Sequence, residues 1–168
     1  VGPEEREDPT CRLMANSPLP REPGMPGSAL LGFLAGASVI RRSAFLEAGG
    51  FEQRFLIGGE EELLAADLVT AGWWLCYVPE LTVHHHPSDR REGGHTRPCR
   101  QVRNALWFAW LRRPVVSAFR RTLSLGLRDR TALCGLAQAL AGLPWVLGRR
   151  RVVPPDIEAH LRLLERPG

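Results

Sequence analysis

The segment GGEEELLAADLVTAG, residues 58–72, predicts the helix from which the rest of the fold can be built. Its leucines recur at the spacing of one helix face: Leu63, Leu64 and Leu68. Gly72 follows the last apolar residues, as is typical of a helix end. Three consecutive carboxylates form the first turn, Glu60, Glu61 and Glu62. The helix therefore opens with a cluster of negative charge.

The segments on either side of this helix favour short strands. ALLGFLAGASVI, residues 29–40, is small and apolar, which is typical of a buried strand. WWLCYVP at 73–79 and LTVHHH at 81–86 are rich in aromatic and β-branched residues and are followed by prolines. A short helix, SAFLEAG, separates them from the first strand, with Ser43 as its N-cap and a glycine pair as its end.

Beyond Pro98 the pattern changes to helices at about 99–112, 114–128 and 131–147, punctuated by prolines. Residues 1–28 contain six prolines and no apolar period, so they are predicted to be a loop or linker. We therefore predict an α/β protein in three parts. A linker at 1–28 precedes a short mixed sheet with helices at 29–98 and an arginine-rich helical region at 99–168.

Composition narrows the class of protein. No apolar run reaches the roughly 18 residues that a membrane-spanning helix needs, and the first thirty residues lack an export signal. The four cysteines form no CxxC pair, so they are interpreted as reduced thiols rather than zinc ligands. The chain begins with Val and its first residues resemble the middle of a sequence, so we expect a fragment of a longer protein.

Charge is unevenly distributed along the chain. Residues 97–151 hold 12 arginines and a single acidic residue, Asp129. Within this region the tract RNALWFAWLRRPVVSAFRR, 103–121, mixes aromatic residues with paired arginines. Such a mixture occurs on helices at membrane surfaces and on nucleic-acid-binding surfaces, but also in helices that simply pack their aromatic side chains. The leucines that continue the apolar stripe beyond the tract favour a membrane surface over nucleic acid.

Two clusters could carry chemistry. The glutamate triplet either complements the positive end of its helix or supplies a general base, because mutual repulsion raises the pKa of one carboxylate. In the second cluster, alternation along a strand would place His85 on the face opposite His84 and His86. Neutral imidazoles are common ligands of Mn and similar cations, although the three histidines are as readily explained as solvated or packed side chains.

Three segments in order resemble the second half of the family 2 glycosyltransferases with the GT-A fold. They are GASVIRRSAFLEAGGFEQRF at 36–55, GGEEELLAADLVTAGWWLCYVPELTVHHHPS at 58–88 and RQVRNALWFAWLRRP at 100–114. The resemblance covers about residues 29–114 and implies a partial GT-A fold, the acceptor-side half of the enzyme. Neither an Asp-x-Asp motif nor a nucleotide-binding βαβ unit occurs in the sequence. The resemblance therefore implies that the chain as given is incomplete as an enzyme.

The resemblance also implies roles for individual residues. Glu61 matches the catalytic base, which is usually Asp in the family, and Glu60 matches the acidic residue before it. Since glutamate is one methylene longer than aspartate, which carboxylate of the triplet reaches the acceptor stays open. The residues implied to bind the acceptor are Gly36, Glu62 and Trp73. His85 is the implied ligand of a divalent cation, Mn or Mg, whereas the arginine that the family carries later in this helix is replaced by Asp67.

The function that follows is inverting transfer of a sugar from a nucleotide-sugar donor to the hydroxyl of a glycan or lipid-linked acceptor. We expect a bacterial, cytoplasmic protein of cell-envelope polysaccharide synthesis, with peripheral membrane contact through the arginine-rich helices and no nucleic-acid partner. Two alternatives remain open. One is a non-catalytic remnant that binds a membrane or a partner, and the other is a small metal-binding protein that uses His84 to His86.

Overall fold

A computed structural model describes residues 7–84 and 96–165. Within these ranges the chain forms eight α-helices and two short 3-10 helices. The α-helices are α1 (Pro9–Ala15), α2 (Arg42–Glu47), α3 (Glu60–Thr70), α4 (Thr96–Arg112), α5 (Val115–Gly126), α6 (Arg130–Ala141), α7 (Leu143–Arg149) and α8 (Pro155–Leu164). The 3-10 helices are Ala35–Ala37 and Gln53–Phe55.

The predicted α/β class, and with it the partial GT-A sheet, is wrong for the described residues, since none of them lies in a strand. The predicted strands at 29–40 and 73–79 meet at a single antiparallel bridge between Ala29 and Cys76. The Leu30 N–H donates to the Leu75 carbonyl at 2.9 Å, and the Tyr77 N–H donates to the Ser28 carbonyl at 2.9 Å. After this contact the first segment turns into the 3-10 helix Ala35–Ala37. Extended apolar chain becomes sheet only where neighbouring backbone pairs with it, and here the pairing ends after one bridge.

Three local predictions also need correction. Residues 1–28 are not loop throughout, because α1 forms there and Asp8 caps it by accepting from the Thr10 N–H at 2.8 Å. The second helix has Arg41 rather than Ser43 at its N-cap, so Ser43 lies inside α2. The helix α8 was absent from the predicted boundaries, although residues 99–168 were expected to be helical.

The remaining helix predictions are confirmed. The helix predicted from 58–72 is α3, and the Gly72 N–H bonds to the Val69 carbonyl directly after it. The glycine pair after α2 adopts φ values of 89° and 68°, the left-handed conformation expected there. The three predicted C-terminal helices appear as α4, α5 and a third stretch that divides into α6 and α7.

The core is built around α4, which packs against α3, α5, α6 and α7. Leu106, Phe108 and Leu111 are buried on this helix, and Phe55 fills the space beside α3. Trp107 lies edge-on to Trp145 of α7, with ring centroids 5.1 Å apart, and its indole N–H donates to the Ala139 carbonyl at 3.0 Å. The apolar face of α4 therefore organises the fold.

Gly135 within α6 and Gly142 at its C-terminal end let α6 approach α4 closely. A Cβ atom at Gly135 would lie 2.6 Å from the Val102 Cβ of α4, and one at Gly142 would lie 2.5 Å from the Trp107 ring. Neither position has room for a side chain without a shift of the helix. At Gly142 the chain bends by 60° between α6 and α7.

Among the described helices, no single one is long and apolar enough to cross a bilayer. The bent pair α6 and α7 passes that test only when its two helices are taken together.

Candidate active site

The turn before α3 is fixed by a buried amide that the sequence did not single out. Asn104 of α4 is 1% exposed, and its side-chain N–H groups donate to the carbonyls of Phe55 at 2.8 Å and Gly58 at 2.5 Å. Its carbonyl oxygen accepts two hydrogen bonds from Arg103, at 3.0 and 2.9 Å. Gly59 then enters α3 with a φ of 94°, which other residues rarely adopt. Asn104 therefore sets where the glutamate triplet begins.

Glu60 and Glu61 form a pair on the half-buried start of α3. Burial raises the pKa of the Glu60 carboxyl above its ordinary value, and the charge of Glu61 and a hydrogen bond to it raise that pKa further. The backbone N–H groups of Glu60 and Gly58 lower it in part. Among the described residues, the buried Glu60 Oε2 has no hydrogen-bond partner. The pair thus includes a carboxylate that is more basic than usual and has a free acceptor atom.

Glu62 is separated from that pair and lines a cavity of about 260 Å³ between α3, α4, α5 and α8. Protein atoms surround its carboxyl group, although solvent reaches the side chain through the open cavity. This desolvation raises the pKa of Glu62, opposed by the charges of Arg121 and Arg113 and reinforced by that of Glu165. The triplet is therefore two sites rather than one.

A network of buried ion pairs lies beside this cavity. Arg113 donates two hydrogen bonds to Glu158, at 3.0 and 3.1 Å, and a third to Glu165. The Ser117 hydroxyl and the Arg162 guanidinium also donate to Glu158, at 2.6 and 2.7 Å. Burial alone raises the pKa of Glu158, but the hydrogen bonds from these three donors outweigh burial and lower it. Glu158 is therefore held ionised and fully hydrogen-bonded.

The two other residues implied to bind the acceptor lie elsewhere. Gly36 is exposed in the 3-10 helix Ala35–Ala37, and no atom lies within 4 Å of where its Cβ would be. The Trp73 ring packs with the small apolar cluster of α2 and α3, and its N–H donates to Glu47 at 3.1 Å. Neither lines the cavity of Glu62.

The predicted metal ligand His85 lies outside the described residues, as does His86, while His84 is described and exposed. Within 7–84 and 96–165, no three His, Cys, Asp or Glu side chains are grouped closely enough to hold a metal ion. The described cysteines are all free thiols, as predicted.

Asp67 has a structural partner that accounts for its presence in the middle of α3. Arg112 donates to both of its carboxylate oxygens, at 2.5 and 2.8 Å, and the Arg112 side chain is only 11% exposed. This forked pair joins α3 to the end of α4. The sequence signal for such a pair was weak, because 45 residues separate its members.

Comparison with known proteins gives one partial similarity. The chain is 40% identical over 62 residues to N-acetylglucosaminyl-diphospho-decaprenol L-rhamnosyltransferase from two strains of Mycobacterium tuberculosis. The match covers 36% of this chain and 20% of the relative, so the chain spans about a fifth of the relative's length there. No family model matches the chain, and no solved structure does. The similarity supports a relationship to glycosyltransferases over part of the chain.

Proposed function

We propose that this chain is the base-bearing part of a glycosyltransferase that acts on a lipid-linked acceptor. The observation that carries the proposal is the Glu60–Glu61 pair, in which the Glu60 carboxyl has a raised pKa and a buried oxygen without a partner among the described residues. Glu61, whose position matches the base in the family resemblance, lies beside it and is only partly buried, so an acceptor hydroxyl can reach Glu61 and the accepted proton can be shared with Glu60. The partial similarity to a transferase with a diphospho-decaprenol acceptor supports both the reaction class and the kind of acceptor.

The proposed reaction assigns a task to each group. Glu61 takes the proton of an acceptor hydroxyl, and the hydroxyl oxygen attacks the anomeric carbon of the donor sugar from the face opposite the leaving group. The bond from that carbon to the nucleoside diphosphate breaks, and its electron pair leaves with the diphosphate, so the configuration inverts. While both carboxylates are ionised, the charge of Glu61 raises the pKa of Glu60, and the proton that the pair accepts from the hydroxyl can then be shared between the two carboxyl groups.

Two parts of the proposal rest on the family resemblance alone. A divalent cation, Mn or Mg, would offset charge on the departing diphosphate, with His85 as its ligand from this chain. The location would be cytoplasmic, at the inner face of a membrane, where a lipid-linked acceptor presents its sugar.

Transfer by the full-length protein tests the role of the glutamate pair. The donors are a panel of nucleotide sugars that begins with nucleotide-activated L-rhamnose, and the acceptor is N-acetylglucosaminyl-diphospho-prenol. We expect Glu61→Gln to lower kcat by about 10²- to 10⁴-fold, the usual contribution of a general base, with donor binding unchanged. Glu60→Gln tests the second carboxylate, and Glu80→Gln serves as an exposed control of equal charge change. Normal turnover of both Glu61→Gln and Glu60→Gln would refute the proposal.

A non-catalytic module that binds a membrane is the second candidate. The exposed apolar residues along α5 favour it, because they give the helix a surface that the described fold leaves uncovered. Absence of transfer by the full-length protein with every donor of the panel would decide for this candidate.

A further inference from the structure

A second cavity, of about 240 Å³, opens between α5 and α8 beside the cavity of Glu62. The two cavities share three lining residues, Arg113, Arg121 and Glu165. The second is lined in addition by Arg120 and Arg162 and by two serines of α5, Ser117 and Ser124. It is thus a concave surface with four guanidinium groups, while the two serine hydroxyls donate within the protein, to Glu158 and to the Arg121 carbonyl.

Positive charge exceeds negative charge in this second cavity. Arg113 and Arg162 share the single negative charge of the buried Glu158 carboxylate, and Arg121 lies 4.0 Å from Glu165. Arg120 forms no ion pair with any described residue. Four guanidinium groups therefore face two carboxylates, Glu158 beneath the cavity and Glu165 at its wall, which leaves an excess of two positive charges. Guanidinium groups around an excess of positive charge are donors that phosphate groups bind.

An apolar stripe on α5 runs alongside the cavity. Its exposed members are the adjacent Val115 and Val116, then Phe119 and Leu123 at spacings of three and four residues, and Leu127 directly after the helix. The spacing places them on one face of the helix, about a third of a turn from the serines and arginines that line the cavity. Arg120 lies on the border, four residues after Val116 and three before Leu123. A ligand held at Arg120 would therefore extend along uncovered apolar surface.

We propose that this cavity binds the diphosphate of a prenyl diphosphate, with the prenyl chain lying along the α5 stripe. The cavity, of about 240 Å³ and open to solvent, has room for a diphosphate group. The arginines complement its charge and the stripe complements its hydrocarbon. The identity of the lipid rests on the proposed function, since a lipid-linked acceptor of that class carries this group.

Binding of farnesyl diphosphate, measured by isothermal titration calorimetry without any donor, tests the proposal. We expect saturable binding that is at least about tenfold tighter than that of farnesol or of inorganic pyrophosphate, because each of these lacks one half of the recognised ligand. Raised salt should weaken binding of farnesyl diphosphate more than that of farnesol.

Variants locate the site. Arg120→Gln with Arg121→Gln should weaken binding of farnesyl diphosphate by about tenfold or more, since both variants remove charged donors to the diphosphate. Phe119→Ser should weaken binding of farnesyl diphosphate but leave binding of inorganic pyrophosphate unchanged. The control Arg42→Gln, on exposed α2, should change neither by more than about twofold. Circular dichroism of each variant shows whether the helices persist.

Three results would overturn the proposal: no binding of farnesyl diphosphate, equal binding of farnesol, or equal losses in the Arg42 control. Vesicles of phosphatidylglycerol that displace farnesyl diphosphate completely would instead assign the cavity to bilayer lipid. Failure here is distinguishable from failure of the proposed function. If Glu61→Gln still binds farnesyl diphosphate but the wild-type protein transfers no sugar, only the proposed transferase function is refuted. If the wild-type protein transfers sugar but the α5 variants bind farnesyl diphosphate normally, only this binding site is refuted.

Discussion

Carboxylates occur in two contrasting settings in this molecule, the start of α3 and the ion-pair network of α5 and α8. In the network, Glu158 accepts hydrogen bonds from Arg113, Ser117 and Arg162, which together lower its pKa. At the start of α3, Glu60 has a raised pKa and an oxygen without a partner among the described residues. The network commits its carboxylate to the fold, whereas the α3 pair keeps one available for a proton.

The contrast shows why charge density alone does not locate chemistry. The network holds more ionised groups than the glutamate triplet. Its ion pairs are close, at 3.0 Å between Arg113 and Glu158 and 2.7 Å between Arg162 and Glu158, and the Glu158 side chain is buried. Every one of those groups has an internal partner, so their removal should affect stability first. Changes at the α3 pair should affect turnover first and stability little.

The largest effect on stability is expected from Arg113→Ala, which leaves Glu158 charged and buried. Loss of one partner of a buried pair costs about 3–5 kcal/mol in the free energy of unfolding, and because Arg162 and Ser117 still bond to Glu158 we expect the lower end of that range by urea denaturation. The control Arg12→Ala breaks an exposed pair with Glu7 and should cost less than about 1 kcal/mol. Equal losses in the two variants would remove the distinction between the network and a surface ion pair.

A smaller loss of stability is expected from Asn104→Leu, because the carbonyls of Phe55 and Gly58 lose the side-chain donor that now binds them. Unpartnered buried groups cost about 1–3 kcal/mol. Because these carbonyls fix the entry to α3, the variant should also lower kcat with little change in KM for the donor. A variant that loses stability yet keeps the wild-type kcat would show that Asn104 does not position the glutamate pair.

Acid should weaken the network through Glu158. Its folded pKa lies below the ordinary value of about 4.3, so the stabilisation is complete above that value and is lost as pH falls through the folded pKa. Thermal melts from pH 7 to pH 3 should therefore show a decline in Tm that is shallower in Glu158→Gln, where the charge is already absent. Parallel declines in both proteins would assign acid sensitivity to other carboxylates.

The smallest change in stability is expected from Glu62→Gln, and it is a gain rather than a loss. Its folded pKa is raised, so its ionised form above that pKa lowers stability and its protonated form does not. Glu62→Gln should therefore raise stability at pH 7, by less than about 1 kcal/mol because solvent reaches the side chain. The gain should vanish at pH 4, which a pair of urea titrations checks.

Local patterns predicted the helices well and the contacts between them poorly. The leucine spacing of 63, 64 and 68 and the glycine at 72 were enough for α3. The sheet failed because apolar composition at 29–40 predicts burial but not a backbone partner, and only one bridge forms. The ion-pair network was beyond reach, since 45 residues separate Arg113 from Glu158 and no period links them. The glutamate triplet was found, but its division into a pair and a cavity residue needed the packing of α8.

The close approach of α6 to α4 determines which substitutions this helix can tolerate during evolution. At positions 135 and 142 any side chain larger than hydrogen collides with Val102 or with the Trp107 ring. On the outer face of the same helix, Leu133 and Leu140 are half exposed, so their side chains are less restricted by packing. Substitutions should therefore accumulate freely on one side of α6 and be purged on the other, leaving two glycines as a durable signature of this packing.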